Sequence, residues 1–193
     1  MKIKDTQQIL AECLAATRLI PPEDTHLHDI GQRIYQMSAA YEEDGLTFCA
    51  SGDLVNALAA FTYGFGWLHF GYAYGVFGAS AGNTQSCPFS RTVEVLPEEY
   101  RSKLVEKTRR YQKLLNTAIS SVAISADRDT SSSAFSERII FIARHYSQEG
   151  GIFLAREEYE KALSRFSYGH GWLDAAVTSG LFQVFANRDI FTV

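Results

Sequence analysis

The chain has 193 residues, 46% of them hydrophobic, and a formal net charge of -4 with a pI near 5.7. That is enough to bury the core of one ordinary domain or two small ones, and too acidic for a dedicated nucleic-acid binder, which needs a basic balance to neutralise phosphates. Three cysteines, Cys13, Cys49 and Cys87, lack metal or redox spacing and suit a reduced intracellular compartment as small apolar core residues, and the start of the chain lacks the apolar stretch of a signal peptide, which argues against export.

Ile9, Leu10, Cys13 and Leu14 follow helical spacing, so a first helix is expected over 4–19, ending before Pro21 and Pro22. Ile30, Ile34, Met37, Tyr41, Gly45 and Phe48 mark a second helix, with Asp24 or Thr25 as N-cap and an end near Gly52. Asp53 can cap a third over 54–77, apolar nearly all round and therefore central. It carries Gly64, Gly66, Gly71 and Gly75, each costing up to about 1 kcal/mol relative to Ala, and close approach of another backbone would offset that.

Residues 79–96 show no helical period and read as a linker, with 91–95 briefly extended. Pro97, Glu98 and Glu99 look like the first turn of a fourth helix. Its basic residues are offset by acids and read as a solvated face or a modest anion site. A polar loop at 127–133 precedes a fifth helix, and a sixth is expected over 157–185, with a break near Arg156 that neither Gly nor Pro marks.

The second half restates the first. From Arg33–Phe77 to Arg138–Phe182 the register holds without a gap at a spacing of 105 residues, and sixteen of 45 positions are identical, among them Tyr63/Tyr168, Gly66/Gly171 and Trp67/Trp172. The expected fold is all-α: two tandem three-helix repeats, 1–80 and 97–193 joined by a linker at 81–96, packed as a helical bundle with pseudo-twofold symmetry. Residues 54–77 hold no charged side chain and meet the length test for a membrane span, but the same register in the second copy carries Glu160, Lys161, Arg165 and Asp174. Such charges at a bilayer centre cost at least ~2.5 kcal/mol each, so both copies read as soluble helices.

The segments Ile20–His28, Gly52–Tyr63 and Tyr168–Ala175 together resemble a small archaeal family, domain of unknown function three-five-seven, whose terminal motif runs A-x-x-A-F-x-Y-x-x-G-W-L-D-A-G. The resemblance covers nearly all of both halves apart from the linker, so the chain looks like a tandem duplication of that domain. It implies a short helical-bundle fold and an archaeal, cytoplasmic source, and brings no known activity. The first copy departs from the motif at His69, where the second has Asp174; the second lacks the Pro-Pro turn and the Gly-Asp cap. A fainter likeness to tetratricopeptide hairpins, in Ala57, Leu58 and Phe61 or Ala162, Leu163 and Phe166, reflects common packing.

No recognised catalytic motif emerges. His170 and Asp174 share a helix face four residues apart and could form an oriented base or two metal ligands, though spacing indicates no further ligand and no cofactor. Arg165 with His170, and Arg138 with His145, resemble the short motif of the higher-eukaryote-and-prokaryote nucleotide-binding family of helical RNases. Tyr63, Trp67, Tyr168 and Trp172 could floor a binding surface or pack as core. The reading that follows is a non-enzymatic, cytoplasmic helical scaffold that binds a protein partner or self-associates, without membrane or nucleic acid. The alternative is a nucleotide- or RNA-processing domain using Arg165, His170 and Asp174; a third possibility is a metal or small-ligand binder.

Overall fold

A computed structural model describes residues 3–79 and 94–192; most of the expected linker, with Cys87, lies outside the described residues. The first half runs α1 (Ile3–Ala16), β1 (Thr17–Leu19), α2 (His26–Ala50), α3 (Leu54–Tyr74) and β2 (Phe77–Ala79). The second runs α4 (Arg101–Ser120), β3 (Val122–Ile124), α5 (Ser131–Ala155), α6 (Tyr159–Thr178) and β4 (Phe182–Val184). From β1 to β2, every element starts again 105 residues later: 17 becomes 122, 26 becomes 131, 54 becomes 159 and 77 becomes 182.

The helix boundaries follow local chemistry. Thr25 and its counterpart Thr130 cap α2 and α5, accepting from the backbone N–H groups of His28 and Ser133. Asp53 caps α3 through the N–H of Asn56. The α2–α3 turn needs a left-handed residue, which Gly52 supplies at φ 76°; in the second half Glu157 holds the same position at φ 58°. That break is therefore real without Gly or Pro, and α6 begins two residues beyond it. Pro97 opens a 3₁₀ turn over Glu98–Tyr100, and α4 proper starts one turn later than the sequence suggests.

Two corrections concern the helix tails. The chain is helical throughout its bulk, but two short antiparallel ribbons are present: Thr17 pairs with Ala79 and Leu19 with Phe77, and Val122 pairs with Val184 and Ile124 with Phe182. These triplets fall in segments that continue the apolar pattern of the preceding helices, and three residues are too few to display a period of two. Gly75 and Gly180, at φ 85° and 79°, end α3 and α6 early and turn the chain back so that each repeat closes on its own first helix. A third correction concerns redox state: Cys13 is disulfide-bonded rather than a reduced core thiol, while Cys49 is free and half-buried.

The core lies where α3 and α6 cross. α2 covers α3 on one side, and α4 and α5 cover α6 on the other. A Cβ on Gly66 would lie 2.5 Å from the Tyr168 carbonyl oxygen, and one on Gly171 would lie 2.4 Å from that of Tyr63. The glycines thus bring two backbones into direct contact, the compensation their helix-interior cost requires. Phe61, Phe65, Trp67, Phe70 and Phe166 fill the space around the crossing. Among the described residues no helix is long and apolar enough to cross a membrane.

Candidate functional site

Four aromatic residues singled out by the duplication sit inside this seam: Trp67 is 0%, Tyr168 4%, Tyr63 5% and Trp172 7% exposed. Tyr63 packs at a tilt against Tyr41 of α2 with ring centroids 4.4 Å apart, and Tyr168 meets Tyr146 of α5 edge-on at 4.6 Å. Their hydroxyls reach across the crossing. Tyr63 donates to the Asp174 carboxylate, which also accepts from the Thr192 N–H at 3.1 Å and the Thr192 hydroxyl at 2.8 Å. Tyr168 meets His69 Nδ1 at 2.7 Å. Burial, the nearby Asp174 charge and the Tyr41 hydroxyl hold Tyr63 well above the usual phenol range, so the proton stays on Tyr63 and Asp174 acts as acceptor.

Arg165, His170 and Asp174 are all buried but do not converge. Arg165 turns towards α5, where its Nε donates to Glu149 at 2.7 Å and its guanidinium lies 5.6 Å from the Phe153 ring centroid. His170 turns the other way, edge-on to Tyr63 at 5.5 Å and beside Phe191 at 6.3 Å. Burial pulls its imidazole below the ordinary histidine range, against the opposing pull of Asp174. Asp174 is occupied by Tyr63 and Thr192. Among the described residues no group of three or more His, Cys, Asp or Glu side chains could hold a metal ion.

What the sequence does not disclose is a cleft of about 500 Å³ on one side of the seam, between α2, α3, α4 and the C-terminal segment. Its inner surface carries Asn56, Ala60, Tyr63 and His170. Tyr41, Phe48, Tyr111, Leu114 and Ile190 wall it, and Asp44, Lys107, Arg110 and Asp189 stand around it. Burial pushes Tyr41 up to about 12, helped by the Asp174 charge. Burial, with Arg110 nearby, lowers the Lys107 ammonium. Lys107 lies 5.2 Å from the centroid of Tyr111.

Among the described residues, two that line this cleft each carry a buried polar atom without a partner: Asn56 Oδ1 and His170 Nε2. The Asn56 orientation is fixed chemically, because Nδ2 donates to the acceptor-only carboxylate of Asp53 at 2.6 Å, leaving Oδ1 as the free end. His170 is itself only 3% exposed.

The duplication explains why the cleft is one-sided. Ala60 corresponds to Arg165, Asp44 to Glu149, Phe48 to Phe153 and Asn56 to Lys161. In the second repeat the Arg165–Glu149 pair, lying against Phe153, fills the space that Ala60 leaves open in the first. The signal was present in the sequence as an Ala-for-Arg difference at aligned positions, but its meaning depended on what faces them.

No curated protein and no solved structure matches the chain. The model of the family described as "Protein of unknown function (DUF357)" matches residues 7–77 and again residues 110–182, one match for each helical repeat. With about three quarters of its length matched and the same fold in both halves, the chain belongs to the DUF357 family and carries that domain twice.

Proposed function

We propose that the chain is a non-enzymatic binding module: a helical scaffold that holds a small ligand in the cleft beside the α3–α6 seam. One observation carries this reading: two residues that line one cavity, Asn56 and His170, each carry a buried polar atom without a partner, Oδ1 and Nε2. An orphaned buried polar group costs about 1–3 kcal/mol, and a bound molecule that satisfies both recovers that cost. The cleft is also within the roughly 300–1,000 Å³ range of small-molecule sites and combines aromatic walls with polar and charged groups in about equal measure. A reaction using Arg165, His170 and Asp174 together is disfavoured, because Arg165 faces the opposite side and Asp174 is saturated by its own hydrogen bonds.

The test is a small-molecule fragment screen read by protein NMR, with Ala60→Arg as the plugged control and Tyr111→Ala as a second control that removes a wall. Shifts clustering on Asn56, His170 and Tyr111 in the parent, and lost in Ala60→Arg, support the reading. Hits scattered over the surface, or none, overturn it.

A second reading, docking of a protein partner, is favoured by the outer face of α5. Phe141 and Ile152 are 70% and 52% exposed there, whereas the aligned positions of α2 carry Gln36 and Thr47, so the fold itself does not require apolar residues. Arg138 and Arg144 beside them suit an acidic amphipathic segment. Replacing Phe141 by Gln and Ile152 by Thr should abolish binding of such a helical peptide without lowering the melting temperature. Concentration-dependent association of the parent alone would instead assign the face to self-association. The family resemblance supports an archaeal, cytoplasmic setting, and the disulfide at Cys13 is compatible with one, since intracellular proteins of hyperthermophilic archaea are disulfide-rich.

A further inference from the structure

The groups around the cleft differ in what they demand of an occupant. Asn56 Oδ1 accepts, so it requires an N–H or O–H donor; His170 Nε2 can accept or donate according to tautomer. Both sit among aromatic rings, where a rigid plane with donors and acceptors along one edge satisfies them at little entropic cost. Lys107 and Arg110 lie one turn apart on α4, and neither takes part in an ion pair among the described residues. Their neighbour Lys103 is neutralised by Asp53 at 2.6 Å, and of the unpaired cations of α4 it is Lys107 and Arg110 that line the cleft. Asp44 and Asp189 supply acceptors that suit hydroxyl groups.

We propose that the cleft binds a nucleotide: a nucleobase edge against Asn56 and His170 between the tyrosine rings, ribose hydroxyls towards Asp44 and Asp189, and phosphate on Lys107 and Arg110. A base is the planar group that offers ring N–H or amino donors beside ring acceptors, and stacking on aromatic side chains is its usual mode of capture. The diol accounts for carboxylates standing beside cations, which a simple anion site would exclude. The second repeat cannot bind in this way, because Arg165 occupies the corresponding space and already has Glu149 as its partner. This inference rests on the cleft being a ligand site.

Calorimetric titration of the full chain with the four common nucleoside 5′-monophosphates tests it, with the matching nucleosides, ribose 5-phosphate and inorganic phosphate as part-ligands. At least one nucleotide should bind one-to-one, and its nucleoside and ribose 5-phosphate should bind at least tenfold more weakly. Lys107→Ala combined with Arg110→Ala, both changes outside the core, should weaken the nucleotide tenfold or more and leave the nucleoside unchanged. Asn56→Leu should weaken nucleotide and nucleoside alike, and Ala60→Arg should abolish both. Equal affinity for nucleotide, ribose 5-phosphate and inorganic phosphate overturns the base site. Absence of nucleotide binding while fragments still shift Asn56 and His170 overturns the nucleotide class and keeps the cleft as a site; absence of both overturns the two together.

Discussion

Tyr63 on α3 donates a hydrogen bond to Asp174 on α6, and the pair that mirrors it, Tyr168 on α6 and His69 on α3, is bonded as well. The duplicated tyrosine has thus kept its cross-seam bond in both directions while its partner diverged, a carboxylate on one side and an imidazole on the other. The carboxylate also fastens the C-terminal segment through Thr192, so this side of the seam forms one wall of the cleft.

That difference has an energetic consequence. Tyr63→Phe removes a donor from a fully buried carboxylate, whereas Tyr168→Phe removes a partner from a half-buried imidazole. Hydrogen bonds to charged groups contribute about 1.5–3 kcal/mol and neutral ones about 0.5–1.5. Urea denaturation should therefore find Tyr63→Phe the more damaging by about 1 kcal/mol, and equal losses would show that the two cross-seam bonds contribute alike.

The seam itself should not tolerate added volume. Gly66→Ala and Gly171→Ala each direct a methyl group at backbone 2.5 and 2.4 Å away, which cannot move aside as a side-chain tip could. Each should cost about 1–3 kcal/mol or more. Gly151→Ala, whose Cβ meets nothing within 4 Å, is the matched control and should be neutral or slightly stabilising. Equal melting temperatures for the three variants would contradict the close crossing.

The buried imidazole predicts a pH dependence. Because burial lowers the folded pKa of His170 below its ordinary value near 6.5, the unfolded chain takes up the proton first. Its contribution to stability is complete above about pH 6.5 and is lost as the pH falls from there towards the folded pKa. Phe65 occupies the aligned position in the first repeat, so His170→Phe is a natural replacement. Melting curves from pH 8 to 5 should fall less steeply for the variant than for the parent, with Asp44, Asp189 and Lys107 common to both and the pull of Asp174 counted with His170. Parallel curves would sink the assignment.

Arg165→Ala should convert the second repeat to the first repeat's arrangement. It removes a side chain that is 1% exposed and strands Glu149, which is 28% exposed and can rehydrate. The expected loss is about 2–4 kcal/mol, mostly lost packing and the charge pair. A crystal structure of the variant should show a second cleft beside Phe153; a collapsed interior would mean that Ala60 is not what opens the first.

How much of this was legible in the sequence differs by element. The helices with strong periodicity, α2 and α3, and the cap Asp53 could be read directly, and the cap of α2 could be narrowed to Asp24 or Thr25, because capping and amphipathic spacing act over a few residues. The break at Glu157 was legible only as a change of pattern, since a glutamate does not advertise a left-handed backbone. The ribbons were hidden because each strand draws its partner from about 60 residues away. His170 and Asp174 could be placed on one helix face, but not the opposite direction taken by Arg165 or the orphaned state of Asn56 Oδ1.

By itself the sequence determined the duplication, the all-helical class and the need for a close backbone approach at the glycines of α3, since these follow from periodicity and from the cost of glycine within helices. The cleft was decided by tertiary structure alone. A cavity is a property of what faces an atom across the fold: the aligned position is open at Ala60 and filled at Arg165, and only the fold shows what surrounds each.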